Sequence, residues 1–404
     1  MFKKLKITGW QQFGNIEIPF HRRMTIITGA NGSGKTTILK SILASHFGWS
    51  SMSLAVPRKN LLTSTLEWFS GLLDKSSDDV GEIIYDDDVK AVLHAPLVGQ
   101  AQYTLTIRGQ QNVEGFFIPS HRSTFNYQQL GSLPLRQTFS KEDAFLRISE
   151  SVRNRYSGGG GAPSSYHMKE ILVSWNIFGY GNPVMPGRED LLQHFRDFEN
   201  VLKVVLPKSL GFRKLEIRDQ EIVFCCDSGE FLLDAASGGI STMIDLAWQI
   251  HMFSTDKRDN FVVVIDEVEN HLHPTMQRRI LSDLLKAFPK ASFVISTHSP
   301  LIVTSVRDST VVALRYKEGK VYSEVLDLVD KPRTATEVLD EVLGVSFTMP
   351  IWAEEDLARI TKEYTEKKDL TKEDLLRMRD KLKEIGLERL MPEAIYRLAE
   401  DKAQ

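Results

Sequence analysis

The sequence predicts an α/β fold: a mixed sheet with flanking helices, an antiparallel β subdomain, a helical insertion and a helical C-terminal region. Three stretches predict it. Thr25-Ile26-Ile27-Thr28 is a β-branched run that stops at Gly29, crosses a loop of small residues and enters the spacing Ile38, Leu39, Ile42, Leu43. That is strand, loop and helix. Phe261 to Ile265 and Ala291 to Ile295 are short runs, almost wholly apolar and rich in β-branched residues. Strands buried on both faces of a parallel sheet look like this.

From the start of the chain, Phe2, Leu5 and Ile7 mark one strand and Ile16, Ile18 and Phe20 a second, with a turn over Gly9 to Asn15. Lys3, Lys4, Lys6, Arg22 and Arg23 make this end basic, which a solvated sheet edge explains. After the loop and its helix, an amphipathic helix is expected around Leu61 to Leu73. Strands follow at Glu82–Tyr85, Val89–Leu93 and Tyr103–Ile107. Asp86-Asp87-Asp88 reads as a hairpin turn, because consecutive carboxylates on a strand point to opposite faces. Phe116-Phe117-Ile118-Pro119 is a short buried strand that delivers Ser120-His121-Arg122-Ser123 to its carboxyl end. Ligand sites form there in α/β sheets, so Arg122 is a candidate phosphate or contact residue.

Residues 124 to about 206 read as a helical insertion, with pieces at Lys141–Tyr156, His167–Phe178 and Arg188–Leu206. The glycine run Ser157 to Pro163 breaks it as a loop. A β meander returns at Leu215, Ile217, Ile222-Val223-Phe224 and Phe231-Leu232-Leu233. The two cysteines, Cys225 and Cys226, alternate across it as small hydrophobes rather than as a disulfide or ligand pair. Thr310–Leu314 and Val321–Leu326 form a closing hairpin. From Thr334 the chain is charged and helical, with apolar spacing of three and four residues and no sustained heptad.

Bulk numbers limit the function classes. The 404 residues have 42% hydrophobic and 25% charged content, ordinary for a globular protein, and a net charge of −3 gives no whole-chain signature of nucleic-acid binding. No apolar run reaches the roughly 18 residues that span a membrane, and nothing resembles a signal peptide. The cytoplasm is the expected location.

Four clusters carry chemistry. Gly29, Gly34, Lys35 and Thr36 fill the spacing G-x-x-x-x-G-K-[ST], whose glycines let backbone N–H groups curl around a phosphate at a helix N-terminus. Lys35 supplies a point charge, and the Thr36 hydroxyl can coordinate Mg²⁺. Ser237-Gly238-Gly239 opens the helical run Met243 to Phe253 and makes a second anion site of hydroxyl, N–H groups and dipole. The Phe261 strand ends in Asp266-Glu267: Asp266 can hold the Mg²⁺ shell and Glu267 can polarise an attacking water. The next strand ends in His298, placed to meet a γ-phosphate or that water. His271 and His273 lack a metal-ligand partner set and are expected beside the nucleotide or at a subunit contact.

In this order and at these element edges, the set resembles the ABC-type ATPases of the SMC/RecF/OLD group. Gly29 to Thr36 matches the Walker A loop, Ser237-Gly238-Gly239 the signature motif, Ile265-Asp266-Glu267 Walker B with its catalytic Glu, and His298 the switch histidine. More narrowly, Asp266-Glu267 with His271-Leu272-His273-Pro274 and Ser296-Thr297-His298-Ser299-Pro300 is similar to stand-alone bacterial ATPases of anti-phage defence, such as the Septu and retron-associated ones. Glu337 to Val345 is similar to their C-terminal region. The signature departs at Ala236 and Ile240. No clear Q-loop glutamine is present, Phe117 to Arg122 occupying its place.

The resemblance implies an ATPase head whose N-terminal half is 1–122 and C-terminal half 207–330, with the insertion at 123–206 and a helical region at 331–404. It implies ATP and Mg²⁺, the metal held at Thr36 and Asp266. Gly29, Asn31, Gly32, Ser33, Gly34, Lys35, Thr36 and Thr37 would bind nucleotide in one subunit and Ser237, Gly238 and Gly239 in the other. Glu267, His298 and Lys35 would carry catalysis. A homodimer or higher oligomer and a separately encoded effector such as a nuclease are the partners it implies. Direct nucleic-acid contact, as in a RecF-like clamp, stays open as the alternative, and no membrane is involved.

Overall fold

The computed structural model describes residues 1–54, 79–95, 102–122, 125–131, 140–327, 351–365, 371–392, 394, 395 and 398. The helix expected around Leu61–Leu73 and the Glu337–Val345 segment lie outside them. The chain divides into two compact units, Met1–Val338 and Leu339–Gln404.

The first unit opens with the expected hairpin, β1 (Phe2–Thr8) and β2 (Asn15–Pro19), whose alternating buried residues Leu5, Ile7, Ile16 and Ile18 face one core. Lys4 and Lys6 pair with Glu17 and Glu82 on neighbouring strands, so these lysines serve a sheet surface. Next come β3 (Met24–Gly29), buried throughout, and helix α1 (Thr37–Leu43), wound as a π-helix. After β4 (Met52–Leu54), strands β5 (Asp79–Tyr85) and β6 (Lys90–His94) form a hairpin turned by Asp86 to Asp88, with Asp88 left-handed at φ +63°.

The single strand expected at Tyr103–Ile107 is two strands in different sheets. β7 (Gln102–Thr104) pairs with β4, and β8 (Thr106–Arg108) pairs with β6. The chain changes partner at Leu105, which is buried and exchanges hydrogen bonds with Ser51. β9 (Gly115–Ile118) then enters the central sheet.

Helices α2 (Lys141–Tyr156), α3 (Ser164–Tyr180) and α4 (Glu189–Val205) follow the sequence boundaries closely. The meander is β10 (Phe212–Arg218), β11 (Glu221–Cys226) and β12 (Gly229–Leu232), carrying both cysteines as free thiols. α5 (Gly238–Phe253), β13 (Phe261–Ile265), α6 (Pro274–Ala287), β14 (Ala291–Thr297), the short α7 (Pro300–Val303) and the hairpin β15 (Thr310–Lys317)–β16 (Lys320–Leu326) complete the unit.

The central sheet has the order β16-β15-β3-β14-β13-β9. All neighbours are parallel except the edge hairpin β15–β16. The β9, β13, β14 and β3 carboxyl ends therefore stand side by side, which places their loops in one row. A second, antiparallel sheet runs β2-β1-β5-β6-β8. The insertion is welded to α5. Trp175 of α3 and Trp248 of α5 are fully buried with ring centroids 5.7 Å apart, and Phe198 of α4 stacks edge-on to Trp248 at 4.8 Å. Lys169 of α3, wholly buried, pairs with Glu221 at 2.6 Å and with Asp234 in the turn ahead of Ser237. Burial would lower its pKa, and those two carboxylates more than offset this, leaving it raised.

In the second unit, α8 (Ile351–Thr365) and α9 (Lys372–Glu384) share a small core of Leu357, Ile360, Tyr364, Met378 and Leu382. A capping box between Thr371 and Asp374 starts α9. Among the described residues no helix is long and apolar enough to cross a membrane.

Candidate functional site

The phosphate loop joins β3 to α1, and two of its glycines are required by close approach. Gly29 has φ +148°, and a Cβ there would sit 2.5 Å from the Leu314 carbonyl oxygen on neighbouring β15. Gly34 has φ +93°, and a Cβ would strike the Phe13 ring at 2.4 Å. Only glycine meets both conditions. Asn31 and Gly32 are exposed at the loop tip, while the Ser33 hydroxyl is buried with no hydrogen-bond partner among the described residues.

Lys35 folds back into its own loop. Its ammonium donates to the Gly29 carbonyl at 2.8 Å and the Ala30 carbonyl at 3.1 Å, and lies 3.4 Å from His298 Nδ1. Burial pushes its pKa down to about 8, although Asp266, Glu267 and Glu269 pull the other way. Thr36 is exposed, and its hydroxyl donates to Asp266 Oδ2 at 2.9 Å; Thr37 begins α1.

Asp266 follows β13 and is almost fully buried. Burial raises its pKa, against hydrogen bonds from Ser296 at 2.5 Å and from Thr36. The same Ser296 hydroxyl accepts from the Glu267 amide at 2.8 Å. Glu267 is left-handed at φ +47°, a conformation that costs a non-glycine residue on the order of 1–3 kcal/mol and persists only where its surroundings fix it. Its carboxylate accepts from Asn270 Nδ2 at 2.8 Å and faces His298 Nε2 at 3.9 Å. Burial first, then the Lys35 charge, lower the His298 pKa. A neutral imidazole that accepts from Lys35 at Nδ1 carries its proton on Nε2, toward Glu267. Glu269 accepts from the His298 amide at 2.5 Å and holds the turn after β14.

Lys35, Thr36, Asp266, Glu267 and His298 thus converge across three adjacent strand ends. Ser237, Gly238 and Gly239 do not join them. Among the described residues they make no hydrogen bond to the phosphate loop; Ser237 and Gly238 are exposed at the N-terminus of α5, and the Ser237 hydroxyl caps nothing. A Cβ on Gly239 would meet the His271 carbonyl and Met276 Sδ, both at 3.2 Å, so His271 backs this motif. His273 acts structurally, its Nδ1 accepting from the Thr275 amide to cap α6.

Arg122, expected as a phosphate or contact residue, makes contacts to main chain here. Its Nη2 donates to the main-chain carbonyls of Asp266 at 3.0 Å and Glu267 at 3.1 Å, beneath the carboxylates. Sequence reasoning could place Arg122 at a strand end but not choose its target, which lies 144 and 145 residues further on. Ser296 and Asn270, which hold the Asp266–Glu267 pair, carried no signal beyond their position in the neighbouring motifs.

Residues 4–115 match a family model described as "AAA domain", and residues 227–304 one described as "AAA domain, putative AbiEii toxin, Type IV TA system". The chain is similar to the Septu protein PtuA of Bacillus mycoides, with 34% identity over 171 residues. That match takes in 39% of this chain but only 24% of the relative, about a quarter of its length. It is also similar to the Septu protein PtuA of Bacillus thuringiensis, with 23% identity over 372 residues, 86% of this chain and 85% of that one. Among solved structures, the SMC head domain from Thermotoga maritima covers 81% of this chain and 99% of its own, with 16% identity and a TM-score of 0.44. The sequence relatives bear out the resemblance to Septu-type ATPases, and the strand order bears out the α/β architecture.

Proposed function

We propose that this chain binds Mg²⁺–ATP and hydrolyses it as a dimerisation-gated switch in anti-phage defence. One observation carries the reading. Lys35, Thr36, Asp266, Glu267 and His298 are drawn to within hydrogen-bond or ion-pair reach of one another at the carboxyl ends of β3, β13 and β14.

The residues fit the nucleotide and its metal. Ser33 offers a buried hydroxyl without a partner, and Thr36 Oγ1 and Asp266 Oδ2, 2.9 Å apart, are two hard oxygen donors of the type Mg²⁺ takes. Bound there, Mg²⁺ neutralises charge on the phosphate oxygens. The Lys35 ammonium leaves the Gly29 and Ala30 carbonyls for the phosphates. Glu267, held by Asn270, orients a water and accepts its proton, and the His298 Nε2–H donates toward the same region. Asp266 accepts from Thr36 on one oxygen and Ser296 on the other, each oxygen keeping a second lone pair that can face a metal.

Ser237-Gly238-Gly239 makes no hydrogen bond to the loop of its own chain among the described residues, and Ser237 and Gly238 are exposed. This supports a role toward a nucleotide held by a second copy, with ATP clamped between two heads. Release on hydrolysis would free or engage a separately encoded effector, a nuclease being the expected partner. The Septu relatives support the defence setting.

The test is phosphate release and light scattering on wild type, Lys35→Ala and Glu267→Gln. Wild type is expected to hydrolyse ATP. Glu267→Gln is expected to lose at least about 100-fold in kcat while accumulating an ATP-dependent dimer, and Lys35→Ala to lose nucleotide binding. Equal phosphate release from all three would remove the hydrolysis reading. A Glu267→Gln protein that stays monomeric in ATP would remove the dimer. Salt-sensitive, ATP-dependent binding of DNA by the purified chain would instead favour the direct clamp.

A further inference from the structure

We infer that Arg122 is a positioning residue that helps to hold the catalytic carboxylate's backbone in its left-handed conformation. This rests on the proposed ATPase reading for its kinetic consequence only. A single guanidinium nitrogen, Nη2, donates to two successive carbonyls, Asp266 at 3.0 Å and Glu267 at 3.1 Å. Glu267 itself has φ +47°. The loop after β9 grips the same residue a second way, because Asn270 Nδ2 donates both to the Ser120 carbonyl at 3.2 Å and to Glu267 Oε2 at 2.8 Å. The Glu267 amide is held by Ser296 and its carboxylate by Asn270, while its carbonyl accepts from both the Asn270 amide at 3.1 Å and Arg122. A strained conformation survives where its surroundings over-determine it, and Arg122 adds a second donor to the Glu267 carbonyl and binds the Asp266 carbonyl before it.

The other edge of the guanidinium turns away from Walker B. Its Nε and Nη1 are inaccessible to solvent and make no hydrogen bond with any described residue. They border a cavity of about 160 Å³ whose walls include Arg155 and Tyr156 of α2, Ser164 of α3 and Asp245 and Gln249 of α5. Asp245 is buried, with Gln249 donating to it at 2.8 Å and Ser164 also bonded to it; burial raises its pKa, against the charges of Arg122 and Arg155.

Lysine keeps a cationic donor but is shorter and lacks the rigid plane that aims Nη2 at both carbonyls. In the full-length protein, Arg122→Lys and Arg122→Ala are expected to lower kcat roughly 10- to 100-fold, as displaced catalytic groups do. Nucleotide affinity, read by equilibrium titration, should change less than about threefold because Lys35 and Thr36 are untouched. Millimolar guanidinium should restore part of the Arg122→Ala rate by entering the enlarged cavity, while equimolar urea should not. Amide exchange at Glu267 and Val268, which requires no turnover, should speed up at least about tenfold in both variants. Unchanged exchange in both variants would overturn the positioning role. So would an unchanged kcat in a hydrolysing wild type, or kcat and affinity falling together without rescue. A wild type that hydrolyses no ATP defeats the ATPase reading instead, and the exchange measurement still decides Arg122.

Discussion

Lys35 is a charge that folding buries before its ligand arrives. Its pKa, brought down to about 8, lies below the unfolded value, so the folded chain disfavours its protonated form. The sign follows: this group detracts from stability below about pH 8, and the penalty fades as pH rises toward the unfolded pKa. Phosphate oxygens in the loop would return the pKa upward, so nucleotide binding above pH 8 should take up a proton. Affinity for a non-hydrolysable ATP analogue should therefore fall between about pH 8 and 10. Calorimetry in buffers of different ionisation enthalpy checks this, and Lys35→Arg, which stays protonated, should flatten the profile. The residues at this scale were legible where a spacing defines them, as with Gly29, Gly34, Lys35 and Thr36. Arg122 was not, because a guanidinium at a strand end suits phosphates and carbonyls equally, and only the fold selects between them.

Serines open both α2 and α5, and only one of them caps its helix. Ser140 caps α2 by accepting from the Asp143 amide at 3.2 Å, and Ser140→Ala should cost about 1 kcal/mol in urea unfolding. Ser237 stands at the same position of α5 with no such bond. Ser237→Ala should change stability by under about 0.5 kcal/mol while weakening ATP-driven dimerisation; a cost like that of Ser140→Ala would make Ser237 an ordinary cap. The insertion helices were legible from polar–apolar periodicity and from capping residues such as Ser140. The division of Tyr103–Ile107 between two sheets was not, since a β-rich run does not name its partners and Leu105 changes them through Ser51. The π-winding of α1 likewise has no counterpart in the spacing of Ile38, Leu39, Ile42 and Leu43.

The first unit holds its insertion through buried side chains rather than a linker. Trp175→Ala would empty a site against Trp248 and should cost about 3–5 kcal/mol, read as a lower urea midpoint. Lys169→Met should cost a similar amount, about 3–5 kcal/mol, because it leaves Glu221 and Asp234 without their cation. Asp234 lies three residues before Ser237, so Lys169→Met should also impair ATP-driven dimerisation in protein that still folds. α3 reaches both ends of the site: Ser164 lines the cavity beside Arg122, and Lys169 pairs with Asp234 ahead of Ser237.

The sequence by itself determined the motifs, their order and the element type around each. Those depend on local chemistry: glycine where backbone must curl, β-branched runs where both faces are buried, and carboxylates or histidine at strand ends. The tertiary structure alone decided which groups meet. Strand order set β3, β14 and β13 side by side and drew Lys35, His298, Asp266 and Glu267 together, while leaving Ser237 to Gly239 outside that cluster. It also turned Arg122 from a phosphate candidate into a brace beneath Glu267. Such pairings join residues 31 to 263 positions apart, and neither local propensity nor spacing encodes them.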